Sequence, residues 1–366
     1  MEEAVIFIFD AEVGMTLAKD VITPDGHLLV KKGSVLNWDL ISTISNHHIL
    51  EIKVYVDNES TNEDVPFLQE SGETVKYYDK VRESEAFQKF EAEFIHSVSE
   101  VKEELENVIN FNKSIDTAKL LEGPLKLLKT TPNNLQLLDM IHSIRQYDDL
   151  TYVHSVSVSL LASTIGRWLN YNEEKIRLLA LAGIVHDVGK LQIPIEILTK
   201  PGRLTDNEYT IMKKHVNLGY EALKNQNIDQ RIKEAVLLHH ERCDGSGYPF
   251  GLKNEMLPLE AKIITVADVY DAMTANRVYR KAICPFSVVD IMYKESFSKY
   301  DPTVAITFLR NIVTSYIHTD VRLSDGSVGK VILVNENDLS RPTVLVGKRL
   351  IDLSRETNLE IVALIN

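Results

Sequence analysis

Ala180-Leu181-Ala182-Gly183-Ile184-Val185-His186-Asp187 is the stretch that decides the fold class. Ala180, Ala182 and Gly183 are small enough to let a helix approach its neighbour closely, and the apolar run closes on two side chains that are costly to bury. The device recurs on both sides. Upstream, the segment opening at Asp148-Asp149 has an inward face of Leu150, Val153, His154, Ser157 and Leu161. Downstream, Thr205-x-x-Glu208 has the pattern of a capping box, and the face that follows runs Ile211, Met212, His215, Gly219, Ala222. The next helix reads Ile232, Ala235, Val236 and then His239-His240. In the last, Ile264, Ala267, Asp268, Asp271, Ala272 and Ala275 follow the i, i+3, i+4, i+7 rule, which puts two carboxylates on a face that should be buried.

The fold class expected from these periods is mainly α, with residues 148–315 as an all-α helical domain and smaller β-rich pieces at both ends. Residues 1–57 form a β-rich module, with strands at Val5–Phe9, Leu28–Val30 and Ile52–Val56, a turn at Pro24-Asp25-Gly26 and a helix near Leu36–Ile44. Residues 58–147 are an acidic linker and a helical connector. Ala86-Phe87-x-x-Phe90-x-x-Glu93-Phe94 marks the connector, which is either a coiled-coil stalk joining two copies or a solvated surface helix. Residues 316–366 return to strand and turn chemistry as a short β-rich tail, with a turn at Ser324-Asp325-Gly326.

Bulk composition narrows the class. A hydrophobic share of 44% and a charged share of 25% belong to a soluble globular chain. No apolar run reaches the roughly 18–20 residues of a membrane span. The acidic start at Met1-Glu2-Glu3 does not read as a secretory signal, and two cysteines, Cys243 and Cys284, fit a reducing compartment. A cytoplasmic protein is expected. The net charge of −13 argues against binding a long nucleic acid, while a small anion stays open where metals and local cations supply a positive field.

One histidine on an apolar face is ordinarily a core residue bonded to a backbone carbonyl. The joint occurrence is different, because five of the 11 histidines fall between 154 and 240, each on or ending such a face. Adjacent His239 and His240 cannot both be protonated cheaply there, and an unpaired buried carboxylate costs several kcal/mol. Divalent cations resolve both problems. His154, His186, His215, His239 and His240 with Asp187 and Asp268 exceed what one tetrahedral zinc takes and suit two metals sharing a carboxylate. Imidazole and carboxylate without thiolate favour iron or manganese. Such a centre implies phosphoester hydrolysis by a bridging hydroxide. Lys190, one turn after Asp187, reads equally as a phosphate or leaving-group contact and as a solvated helix-end lysine.

His186-Asp187-Val188-Gly189-Lys190-Leu191-Gln192-Ile193-Pro194 resembles the pattern H-D-[IV]-G-K-x-x-[IV]-P of the HD superfamily, and Gly247-Tyr248-Pro249 is similar to the GYP of its HD-GYP branch. Lys200-Pro201-Gly202-x-Leu204-Thr205, His239–Pro249, Ala267–Ala272 and Arg277-Val278-Tyr279-Arg280 complete the resemblance, in order, across about 150 residues. It implies a metal-dependent phosphodiesterase that cleaves cyclic di-GMP to linear pGpG and onward to GMP. It also implies one metal on His154, His186 and Asp268, another on His215, His239 and His240, and Asp187 bridging them. Asp187 and Lys190 would carry the catalysis, and Lys190, Tyr248, Asp271, Arg277 and Arg280 would contact substrate. A homodimer through the connector and signalling proteins are the further partners expected.

Two positions depart from the family. Cys243 stands where tryptophan is usual, which reads as a packing difference. Leu150 stands where three-metal members carry glutamate, so two metals are expected and pGpG should accumulate. Another cyclic dinucleotide such as cyclic GMP-AMP, or a non-catalytic nucleotide receptor or scaffold, is the alternative; loss of ligands would favour the latter, and none of the seven positions is lost.

Overall fold

The computed structural model describes residues 2–7, 11, 14–23, 27–36, 40, 44, 49, 51–56, 72–144, 150–200, 204–274 and 284–365. The turn at Pro24-Asp25-Gly26, the pair Asp148-Asp149 and the segment Arg277-Val278-Tyr279-Arg280 lie outside them, as does most of the expected helix near Leu36–Ile44. The chain is mainly helical with small β elements toward both termini, as its periods indicate. Its contacts divide it into two units, residues 1–69 with 193–214, and residues 70–192 with 215–366.

In the first unit, β1 (Glu2–Phe7), β5 (Glu51–Val56) and β2 (Thr16–Leu17) form an antiparallel sheet in that order, and β3 (Val21–Ile22) pairs with β4 (Leu28–Val30). Leu17, Leu36, Ile44 and Val54 are its fully buried core. The second stretch supplies α7 (Ile195–Leu198) and α8 (Asp206–Met212), and α8 packs on β1. The capping box on α8 is present: Glu208 N–H donates to Thr205 Oγ1 at 3.3 Å, and Thr205 N–H donates to Glu208 Oε2 at 2.7 Å. Lys53 of β5 pairs with Asp206 at the start of α8.

The second unit opens with α1 (Gly72–Glu83) and α2 (Glu85–Phe111), then α3 (Thr117–Thr130) and α4 (Asn134–Ser143). Ser84 caps α2, and one face of α2 buries Phe87, Phe90, Phe94, Val98, Val101, Leu105 and Val108. That stripe packs on α3 and on α5 (Leu150–Trp168) within the chain. The apolar stripe of the connector is therefore covered within the chain, and its other face is left to solvent. Burying such a side chain contributes roughly 1.5–3 kcal/mol, more than a helix left in water could recover.

Next come α6 (Glu173–Val185), a 3-10 turn (Val188–Gln192), α9 (His215–Leu223), α10 (Gln230–Leu238) and α11 (Leu259–Thr274). The small residues of α6 do what their size suggests: a Cβ on Gly183 would stand 2.6 Å from Ser159 Cα of α5. Helices α12 (Pro285–Glu295) and α13 (Pro302–Ser315) follow, each with proline in its first turn, where no amide is lost to the ladder. The chain ends in β6 (Asp320–Leu323), β7 (Val328–Leu333), β8 (Thr343–Val346), β9 (Arg349–Asp352) and β10 (Ile361–Leu364), an antiparallel sheet ordered β10-β6-β7-β8-β9.

A polar seam joins α1, α4 and α11. The Tyr77 hydroxyl donates to Asp139 Oδ2 at 2.7 Å, Tyr78 Oη lies 3.1 Å from His142 Nδ1, and the His142 ring sits 5.7 Å from that of Tyr270. Asp139 is 6% exposed, and its Oδ1 has no hydrogen bond among the described residues. Burial pushes its carboxyl up to about 7, with the Tyr77 hydrogen bond opposing. The folded state therefore holds a proton that the unfolded chain releases near 3.8, and this stabilisation is lost as pH rises through about 7. At about 1.4 kcal/mol per pH unit, roughly 3 kcal/mol should go between about pH 5 and pH 8. Urea denaturation at both pH values should show Asp139→Asn losing less than the wild type; equal losses would contradict this origin.

Candidate metal centre

The seven residues singled out by helical period come together in the second unit. One group is His154, His186 and Asp268; the other is Asp187, His215, His239 and His240; within each, the candidate ligand atoms lie within 4.8 Å of one another. Helix α5 brings His154 from its second turn, and α9 opens with His215. His186 and His239 are the capping residues that end α6 and α10. Asp268 comes from the middle of α11. His186, Asp187, His215 and His239 are at most 1% exposed.

Asp187 touches both groups. Its Oδ1 lies 3.3 Å from His215 Nε2 and 3.7 Å from His239 Nε2. Its Oδ2 lies 3.3 Å from His186 Nε2, 3.6 Å from His154 Nε2 and 2.5 Å from Lys190 Nζ. Across the first group, His154 Nε2 stands 3.0 Å from Asp268 Oδ1.

The outer nitrogens of three rings are tied down. His154 Nδ1 is 2.8 Å from Asp271 Oδ2, His186 Nδ1 is 2.7 Å from the Gly183 carbonyl, and His239 Nδ1 is 2.9 Å from the Val236 carbonyl. Such partners fix the ring and leave the opposite nitrogen as a lone-pair donor. The Thr265 hydroxyl donates to the His239 carbonyl at 2.6 Å, linking α11 to the end of α10.

Charge and burial oppose each other here. Burial resists ionisation of Asp187, but Lys190 and His186 outweigh it and hold the carboxyl well below its ordinary range. Asp268 is likewise held low, against burial, by its bond to His154 and the nearby imidazoles. Burial lowers His154, and the carboxylates of Asp268 and Asp271 overcome it, lifting the group to about 9. Burial depresses His239; burial and then repulsion from His239 and His215 push His240 far down, so both stay neutral. The fit to divalent cations rests on two orphaned atoms. His186 Nε2 and Asp187 Oδ1 are buried without a hydrogen bond among the described residues, and both face the cluster. Neutral imidazoles at His239 and His240, ionised carboxylates and unpaired inward lone pairs suit divalent ions.

Of the expected substrate contacts, Lys190 stands at Asp187 with 24% of its side chain exposed, and Tyr248 stacks on His240 with ring centroids 4.7 Å apart. Asp271 stands behind His154 at 3% exposure. Arg277 and Arg280 lie outside the described residues. Cys243 donates to Asn254 Oδ1 at 3.3 Å, and burial pushes its thiol up, away from the thiolate that metal binding or redox chemistry uses. Glu241, directly after the histidine pair, is a buried carboxylate that no helical period marks; a charged residue between a helix end and a glycine-rich loop is its only signal in the sequence.

The helices enclose a histidine and carboxylate cluster suited to divalent metals. Residues 139–304 match the HD domain family. The relatives agree. A cyclic di-GMP phosphodiesterase of Pseudomonas aeruginosa is 36% identical over 235 residues, covering 64% of this chain and 56% of that protein. The cyclic di-GMP phosphodiesterase response regulator RpfG of Xanthomonas campestris is 38% identical over 173 residues, 47% of this chain and 46% of the relative. A 3'3'-cGAMP-specific phosphodiesterase of Vibrio cholerae is 36% identical over 173 residues, 47% of this chain and 40% of its own length. This chain thus spans about half the length of the curated relatives it matches. Among solved structures, the HDG"Y"P protein Bd1817 of Bdellovibrio bacteriovorus shares the fold with a TM-score of 0.50 at 15% identity, covering 84% of this chain and 98% of that one. Among the described residues no helix is long and apolar enough to cross a membrane.

Proposed function

We propose that this chain is a cytoplasmic phosphodiesterase that opens cyclic di-GMP to linear pGpG. The observation that carries the proposal is Asp187, which turns one carboxylate oxygen toward each group of imidazoles. His154, His186 and Asp268 would hold one divalent ion and His215, His239 and His240 another, iron or manganese, with Asp187 shared. Ions bound there would lower the pKa of a water and neutralise charge on the phosphodiester. Lys190, partly exposed beside Asp187, would pair with a phosphate oxygen or return a proton to the leaving oxygen. Asp271 would serve by fixing the His154 ring, and Tyr248 would offer a flat edge to the nucleotide. Arg277 and Arg280 would supply charge-assisted hydrogen bonds to the dianion.

Leucine at 150, one turn before His154, has no lone pair to hold a third ion, which supports two metals and accumulation of pGpG over onward cleavage to GMP. The similarity to 3'3'-cGAMP-specific enzymes supports cyclic GMP-AMP as a second substrate reading. Protein purified without oxygen should contain two ions per chain and turn over cyclic di-GMP. Chelation should abolish turnover and lower Tm, since an ion present at 100 times its Kd stabilises the folded chain by about 2.7 kcal/mol. A chain that hydrolyses neither dinucleotide with both ions bound would overturn the proposal.

A further inference from the structure

His240 Nδ1 stands 4.0 Å from Asp268 Oδ2, beyond hydrogen-bond reach. Among the described residues no hydrogen bond reaches its ring, whereas His154, His186 and His239 each have an outer partner. It is held by stacking instead. The Tyr248 ring lies 4.7 Å away at 23°, and the His239 ring 4.2 Å away at 44°.

Tyr248 belongs to a loop that is bound to the histidine pair by its backbone. Its N–H donates to the His240 carbonyl at 3.2 Å. A Cβ on Gly247 would stand 2.4 Å from Glu241 Cα and 2.5 Å from the His240 carbonyl oxygen, so the loop lies directly against the His240–Arg242 backbone. The far side of the loop is gathered by Glu241, which is 1% exposed. Phe250 and Gly251 donate their N–H groups to Glu241 Oε1 at 2.7 and 3.1 Å, and Leu252 donates to Oε2 at 3.0 Å. A buried carboxylate is tolerable only when so satisfied, and these bonds join the residue after His240 to the far end of the loop.

We infer that Glu241 is a positioning residue for the second metal group: by closing the loop it holds Tyr248 against His240 and does for that ring what outer hydrogen bonds do for the others. The inference rests on the metal centre proposed above. Outer partners of metal-binding histidines are worth about 10- to 100-fold in metal affinity, and that is the loss expected here.

The test is titration of manganese(II) into metal-free full-length chain by calorimetry, with circular dichroism to confirm folding. The wild type should show two sites. Glu241→Gln keeps the volume but turns an amide NH2 toward backbone donors, and should weaken one site about 10- to 100-fold while sparing the other. Tyr248→Ala leaves the Glu241 bonds alone and should weaken the same site, whereas Tyr248→Phe keeps the stacked ring and should bind both ions as the wild type does. If both Glu241→Gln and Tyr248→Ala titrate like the wild type, or weaken both sites equally, the inference is overturned and the metal centre stands. A wild type that takes up no manganese overturns both.

Discussion

Asp187→Ala is expected to lose both metals together, and with them all measurable turnover. Among the seven clustered residues Asp187 approaches both imidazole groups within 3.7 Å, so its removal differs in kind from loss of one ring. Without it the second group consists of imidazoles alone, and the first keeps Asp268 alone as its anion. Lys190 Nζ, left without its 2.5 Å partner, would add positive charge where cations must bind. Affinity should fall by more than the ~100-fold that outer partners cost. Asp187→Asn should behave almost as badly, since it keeps the shape and loses the charge. Elemental analysis beside turnover decides the matter; a variant holding two ions with normal rates would remove Asp187 from the centre.

Gly189→Ala should be the most damaging single methyl in the helical unit. A Cβ there would stand 2.0 Å from the His215 carbonyl oxygen and 2.5 Å from Gly219 N. Both are backbone atoms, so no rotamer change relieves the clash and the start of α9 must move. Overpacking usually costs 1–3 kcal/mol; with main chain on the far side, about 3 kcal/mol or more is expected. The displaced residue is His215, so metal uptake should fall as well. Gly219→Ala is the control, because its nearest obstacle is the Val236 Cγ1 methyl at 2.8 Å, which can rotate away. Denaturant unfolding within about 1 kcal/mol of the wild type for Gly189→Ala would contradict this reading.

The metal centre was legible in sequence because burial has a period. Once apolar residues mark the inward face of a helix, any histidine or aspartate at the same spacing is assigned to the interior, and so His154, His215 and Asp268 were found without a partner being known. Period reports that a residue is inside and not what it meets there. Asp271 sits on the right face of α11, yet only the folded chain shows it bonded to His154. The stripe on α2 was visible, but its covering by α3 and α5 was not. Glu241 escaped altogether, because a residue in a loop has no period. Chain geometry alone brings Phe250, Gly251 and Leu252 to its carboxylate.

Residues 193–214 pack with residues 1–69, although Asp187 precedes and His215 follows them in the chain. A cut after residue 69 is therefore not the removal of a detachable appendage. It would strip the sheet from α8 and leave the segment as a free tether between two metal ligands. Longer tethers cost little extra closure entropy, so the centre could still assemble thermodynamically. What would be lost is the guard on that tether: a bare, mobile strand of this kind is where proteases nick first, and one nick there separates Asp187 from His215. On this expectation the N-terminal module, which among its described residues supplies no ligand, would guard the covalent continuity of the cluster.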